Sequence, residues 1–216
     1  MDCGKIGRQH LSVMLVLAAL LVMLFSADAW ANNSETLLDE VVSLKLGLAG
    51  YVIGQKLEPD QKKTAQANPV DGAYEGTYKF NDKDLYVVVN TKTDRVLALY
   101  KQKKNADKKQ LKAMVGELMH FFGTPTTMAH EKLVYWAFNK HGAVSEQVFN
   151  ESKKIKQTKD LGIIATVKFN SEVDIAPDPV EDQKSSAEKK AASTGKIYYI
   201  ITSDPLVKEF MAAHPQ

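Results

Sequence analysis

The stretch YEGTYKFNDKDLYVVVNTKTDRVLALYK, residues 74–101, constrains the fold more than any other. It holds three short runs rich in Val, Tyr and Leu: Tyr74–Phe80, Leu85–Asn90 and Arg95–Lys101. Only the polar tetrapeptides NDKD and TKTD separate them. Connections this short join antiparallel neighbours, because a parallel pair needs a crossover of a dozen residues or more. The spacing therefore predicts an antiparallel meander. In its middle run Leu85, Val87 and Val89 alternate with Tyr86 and Val88, so both faces are apolar. That pattern predicts an interior, covered strand.

Three more runs read as strands: Lys132–Phe138, Leu161–Phe169 and Lys196–Thr202. Helical spacing of Leu37, Val41, Leu44 and Leu48 predicts a first helix over 34–48, with Thr36 and Asp39 placed like a capping box. GYVIGQKL, residues 50–57, fits either a frayed helix end or a short strand. Residues 58–73 are polar, carry Pro59, Pro69 and Gly72, and read as a connection. Leu111, Met114, Val115, Leu118 and Phe122 form one stripe of a helix over 107–122, which Gly123 and Pro125 stop. On that helix His120 points away from the stripe, toward solvent. Residues 143–157 read as a weak helix, and Asp204 as the N-cap of a last helix with Pro205 at its first position.

The expected fold is α+β: a mostly antiparallel sheet of about six strands with helices packed on it, formed by a single domain over 32–216. Two similar halves are the alternative organisation. Residues 174–195, DIAPDPVEDQKSSAEKKAASTG, offer little to bury against their ordering entropy and are expected to form a mobile insertion.

The N-terminus bears on compartment. Lys5, Arg8 and His10 precede an apolar run from Leu11 to Phe25, and Ala29 and Ala31 satisfy the small-residue rule for signal cleavage. Residues 1–31 therefore read as an export signal. The alternative is an uncleaved membrane anchor, although the run falls short of the ~20 residues of a spanning helix. No second run of that length occurs downstream, so no span is expected after cleavage. The only cysteine is Cys3, so the remaining chain has no disulfide. Small secreted domains that lack a large core are usually stapled by disulfides, and a cysteine-free exported chain points to a Gram-negative periplasm. The net charge is +2, and residues 32–216 carry 25 lysines but one arginine, Arg95. Lysine is a solvated point charge without the arginine fork that grips phosphates and bases. No nucleic-acid partner is expected.

Candidate chemistry is sparse. His120, His130, His141 and His214 show no i, i+4 ligand pair, and no metal site or other cofactor is expected. There is no G-x-S-x-G elbow and no cysteine nucleophile. Asp60, Asp71, Asp82, Asp84 and Asp94 fall in loops and turns, where aspartate serves the local backbone. No catalytic residue is therefore assigned. Tyr135, Trp136, Phe138, Tyr198 and Tyr199 are the candidates for a ligand groove or partner surface; core packing and cross-strand pairing are the competing roles. If helices cover one face of the sheet only, the other face marks a partner site.

The segment LKAMVGELMHFFGTPTTMAHEKLVYWAF, residues 111–138, combines an amphipathic helix, a Gly-x-Pro stop and a Trp-bearing strand. In this it resembles small exported modules of the SmpA/OmlA and β-lactamase-inhibitor-like kind. The resemblance implies helices on one face of a short antiparallel sheet and a periplasmic binding or scaffolding role without catalysis. Asn105-Ala106-Asp107 departs from the helix start of those modules, and the lipid-anchoring cysteine is missing. The expected function is an exported, non-enzymatic binding or scaffolding protein that acts on another cell-envelope component, a protein partner. The alternatives are a small-ligand carrier with an aromatic-lined cavity and a hydrolase with dispersed carboxylates.

Overall fold

The computed structural model describes residues 36–130, 132–173 and 194–213. Backbone contacts divide the chain into residues 1–39 and 40–216. Of the first unit only residues 36–39 are described, and they are helical; the sheet and its covering helices belong to the second.

The expected first helix is shorter than its apolar spacing suggested. Helix α1 covers residues 36–43, and Lys45 then takes a left-handed conformation (φ 51°) that ends it. Leu44 and Leu48 thus leave the helical stripe. Gly47–Leu48 (β1) and Tyr51–Val52 (β2) pair as a two-stranded hairpin, which decides GYVIGQKL in favour of a strand. Its two turn residues, Ala49 and Gly50, both have positive φ, as a tight hairpin turn of matching twist requires.

The expected connection over 58–73 contains a helix, α2 (Pro59–Ala67). The Glu58 backbone N–H donates to the Gln61 side chain at 2.9 Å and Pro59 occupies the first turn. Only Ala65 of this helix is buried. Its start chemistry was present in the sequence, but it has no apolar stripe to reveal it.

The meander forms as expected, from β3 (Thr77–Asp82), β4 (Leu85–Asn90) and β5 (Val96–Ala106). Helix α3 (Lys108–Phe122) comes next, capped by Asp107, whose carboxylate accepts from the Gln110 backbone N–H at 2.8 Å. Gly123, at φ 74°, ends it. Then come β6 (Thr127–Ala129), β7 (Leu133–Asn139) and β8 (Gly142–Ala143). Helix α4 (Glu146–Lys154) lies where the weak helical spacing placed one. A 3-10 turn at Thr158–Leu161 delays β9 to Ala165–Ser171, later than the expected Leu161 start. β10 (Gly195–Thr202) and α5 (Asp204–Ala212) close the described chain. The cap of α5 is Ser203 rather than Asp204: its hydroxyl accepts from the Leu206 N–H at 3.3 Å. The expected mobile insertion falls, over 174–193, outside the described residues.

The α+β class holds, with eight strands in the main sheet instead of about six. The extra strands, β6 and β8, are three and two residues long, too short to show a period. The order is β3-β4-β5-β10-β9-β7-β6, with β8 also on β7, and every pair is antiparallel. Two meanders therefore meet where β5 pairs with β10.

One face of this sheet is the core. Phe80, Val87, Leu99, Ile201, Val167 and Trp136 succeed one another across it in register, each at most 1% exposed. Over β3–β5 the cover comes from the hairpin and α2. Tyr51 meets Phe80 edge to face, and its hydroxyl donates to Asp82. Over β7 the cover is α3: Phe122 packs against Trp136 and Phe138, and the Trp136 indole N–H donates to the Gly123 carbonyl at 2.9 Å.

Candidate functional site

Among the described residues, burial on the opposite face is concentrated at one end. Cross-strand register sorts its residues into three rows. The first is Val88–Ala98–Thr202–Thr166–Ala137, of which Thr202, Thr166 and Ala137 are buried. The second is Tyr86–Tyr100–Ile200–Lys168–Tyr135, half-buried throughout. The third is Gln102–Tyr198–Asn170–Leu133, where Gln102 and Tyr198 are exposed.

The gradient has a structural cause. Helix α5 turns back at the end of β10, next to the first row. Its Asp204 reaches Lys168 at 3.2 Å, and its Phe210 meets Tyr74 edge to face. Phe149 of α4 lies against Tyr135. Both helices thus serve the end and the β7 side of this face; of the outer rows on β4, β5 and β10, Tyr86, Tyr100 and Ile200 are half-buried and Gln102 and Tyr198 exposed.

That open area is tyrosine-rich. Tyr86 and Tyr100, register partners, stack with ring centres 4.6 Å apart and planes within 6°. Parallel rings on neighbouring strands stand upright, so their edges point outward. Burial raises the Tyr100 phenol above its ordinary value, with a smaller contribution from Tyr86. Tyr198 is 37% exposed, and the Lys196 ammonium sits 5.2 Å from its ring centre. Aromatic rings with a polar tip are the side chains that recur in protein interfaces.

The five aromatic residues singled out from the sequence divide between the two faces. Trp136, Phe138 and Tyr199 lie in the core face, and burial drives the Tyr199 phenol well above its usual range. Tyr135 and Tyr198 lie on the half-open face. Tyr135 is also raised, first by burial and then by the Asp204 charge. Tyr86 and Tyr100 were not among the five. Their signal was the alternation of tyrosine with Val87 and Leu99, which shows two faces but not which one helices will cover.

Among the described residues the acids and histidines do not assemble into a centre. Asp94 accepts from Lys62 at 2.6 Å and from the Tyr78 hydroxyl at 3.1 Å. Asp84 pairs with Lys101 at 2.6 Å, Asp60 with Lys63 at 2.8 Å, and Asp82 holds Tyr51. Arg95 donates to the Gly54 carbonyl at 2.8 Å, tying the hairpin region to β5. His120 faces solvent as its helical angle predicted, and His130 and His141 are exposed too; His214 lies outside the described residues. Among the described residues no three His, Cys, Asp or Glu side chains converge as metal ligands would. Two open grooves of about 410 Å³ each lie elsewhere, one between α3 and β5, with Lys101, Lys103 and Glu117 on its walls, and one around Lys140, His141 and Asp160. No described helix is long and apolar enough to cross a membrane. No protein-family model, curated protein or solved structure matches the chain.

Proposed function

We propose that this is a non-catalytic binding or scaffolding protein of the periplasm, exported by residues 1–31, that engages a protein partner through the outer half of its open sheet face. The observation that carries the reading is the burial gradient across that face. A sheet this wide has the apolar and aromatic residues of a two-sided core, yet Tyr86 and Tyr100 are only half-buried and Tyr198 is 37% exposed. Exposed patches of this kind on a folded domain mark interaction sites. The resemblance of residues 111–138 to small exported binding modules agrees with it.

The test is a photo-crosslinking amino acid placed at Tyr198, or at Lys109 on the exposed side of α3 as control. Each variant is expressed in a Gram-negative host and irradiated intact. Discrete protein adducts at position 198 and none at 109 are expected. Equal labelling at both positions, or none at 198, refutes the reading.

A further inference from the structure

The open half-face ends at a lysine-rich rim. Strand β5 outruns its neighbour: β4 pairs with it no further than Tyr86↔Tyr100, whereas β10 accompanies it to Ala106. Lys104 is exposed on the open side of this overhang, whereas Lys103, the register partner of buried Ile197, lies on the core-face side with Lys101 in the groove beside α3. Lys196, on β10, sits above Tyr198.

The nearby carboxylates are engaged elsewhere. Asp84 holds Lys101, Asp107 caps α3, Asp204 holds Lys168, and Glu172 accepts from the Lys196 backbone N–H. Glu117 lies on the core-face side, in the groove beside α3. Lys108 and Lys112 have partners of their own and take no part. Lys104 and Lys196 remain without an ion pair among the described residues. No Asp or Glu occurs in the two outer rows.

The size of the surface limits what it takes. From β4 to β7 is four inter-strand steps, about 19 Å, and the two outer rows lie roughly 7 Å apart along the strands. That is far less than the roughly 800 Å² per partner of a standard interface between folded proteins. It suits a short segment crossing the strands. Lysines attract negative charge without fixing its orientation, and upright tyrosines give apolar flanks with a hydroxyl at the tip.

We propose that the outer tyrosine rows and the lysine rim together dock a short acidic protein segment, with apolar side chains against Tyr86, Tyr100 and Tyr198 and carboxylates toward Lys104 and Lys196. This rests on the binding role proposed above for the same face.

The experiment uses the exported protein with ring-labelled tyrosine, observed by NMR. It is titrated with a synthetic eight-residue peptide alternating Glu and Leu, and with the same peptide carrying Lys for Glu. The Glu peptide is expected to shift the Tyr100 and Tyr198 rings. Its affinity is expected to fall about tenfold in the combined Lys104→Glu, Lys196→Glu variant and with rising salt, as for charge-steered contacts. Lys104 is exposed and Lys196 half-buried, and circular dichroism checks that the variant is folded. Equal binding of the Lys peptide, or undiminished binding by the variant, overturns the proposal. So do shifts that depend on protein concentration alone, which make a second copy the occupant, and shifts given only by anionic vesicles. Crosslinks at position 198 that persist in the double-lysine variant leave the binding face standing and remove only its acidic partner.

Discussion

Thr126 offers a sharp test of how the β7 edge is held. Its side chain is 1% exposed and its one hydroxyl makes two bonds. It accepts from the Ala137 backbone N–H at 2.9 Å and donates to the Val144 carbonyl at 2.7 Å. It therefore fills the gap that β6 and β8 leave beside β7. Thr126→Val keeps the shape and removes the hydroxyl. A buried group left without its bond costs about 1–3 kcal/mol, so two such groups predict a loss of about 2–6 kcal/mol. For a chain of this size each kcal/mol moves Tm by about 2–4 °C, which places the melting point roughly 4–24 °C lower. Thr126→Ser keeps the hydroxyl, loses one methyl, and is expected to cost only about 1 kcal/mol. Urea denaturation monitored by far-ultraviolet circular dichroism measures both. A valine variant within about 0.5 kcal/mol of the parent, or one more stable than the serine variant, refutes the account.

Gly47 tests the hairpin. A Cβ there would lie 2.0 Å from the Tyr51 carbonyl oxygen and 2.9 Å from Val52 Cα, backbone atoms that cannot yield without opening the hairpin. Gly47→Ala is expected to cost at least about 3 kcal/mol by the same denaturation, and parental stability would disprove this packing. The Tyr78–Asp94–Lys62 contact predicts a dependence on pH at both extremes. Burial, then the charge and hydrogen bond of Asp94, push the Tyr78 phenol up to about 12. Its folded value exceeds the unfolded value of about 10, so its contribution is complete below pH ~10 and is lost as pH rises toward 12. The Lys62 hydrogen bond holds Asp94 below its ordinary value, and that contribution is lost as pH falls through the lowered folded value. Both side chains are more than one-third exposed, so the acid-side effect should stay under about 1 kcal/mol. In Asp94→Asn the phenolate absorbance of Tyr78 should appear at lower pH; an unchanged titration curve contradicts the contact.

Much of the architecture was legible because its cues are local and periodic. NDKD and TKTD leave no room for anything but hairpins, and Leu111, Met114, Val115 and Leu118 mark the buried side of α3 directly. Elements without such cues were missed. Helix α2 has capping chemistry but almost nothing to bury, and β6 and β8 exist because β7 offers them an edge, not because their own residues demand it. The extra length of the first helix was a false reading: Leu44 and Leu48 kept the period although the helix ends at residue 43 and Lys45 turns the backbone. The site was half legible. Alternation separates Tyr135 from Trp136 and Phe138, and Tyr198 from Tyr199. Which face becomes the core depends on where α3, α4 and α5 come to rest, and that is settled by contacts between residues far apart in the chain.

The junction of β5 with β10 has a consequence for how the molecule is made. Thr202 donates its hydroxyl to the Leu97 carbonyl across 105 positions of sequence, and β10 is the last strand before α5. During synthesis from the N-terminus, the long border of β5 must wait, unzipped and able to recruit a stranger, until β10 arrives. Such distant closure slows folding, and a chain cut short before Gly195 would keep that border permanently available for intermolecular stacking.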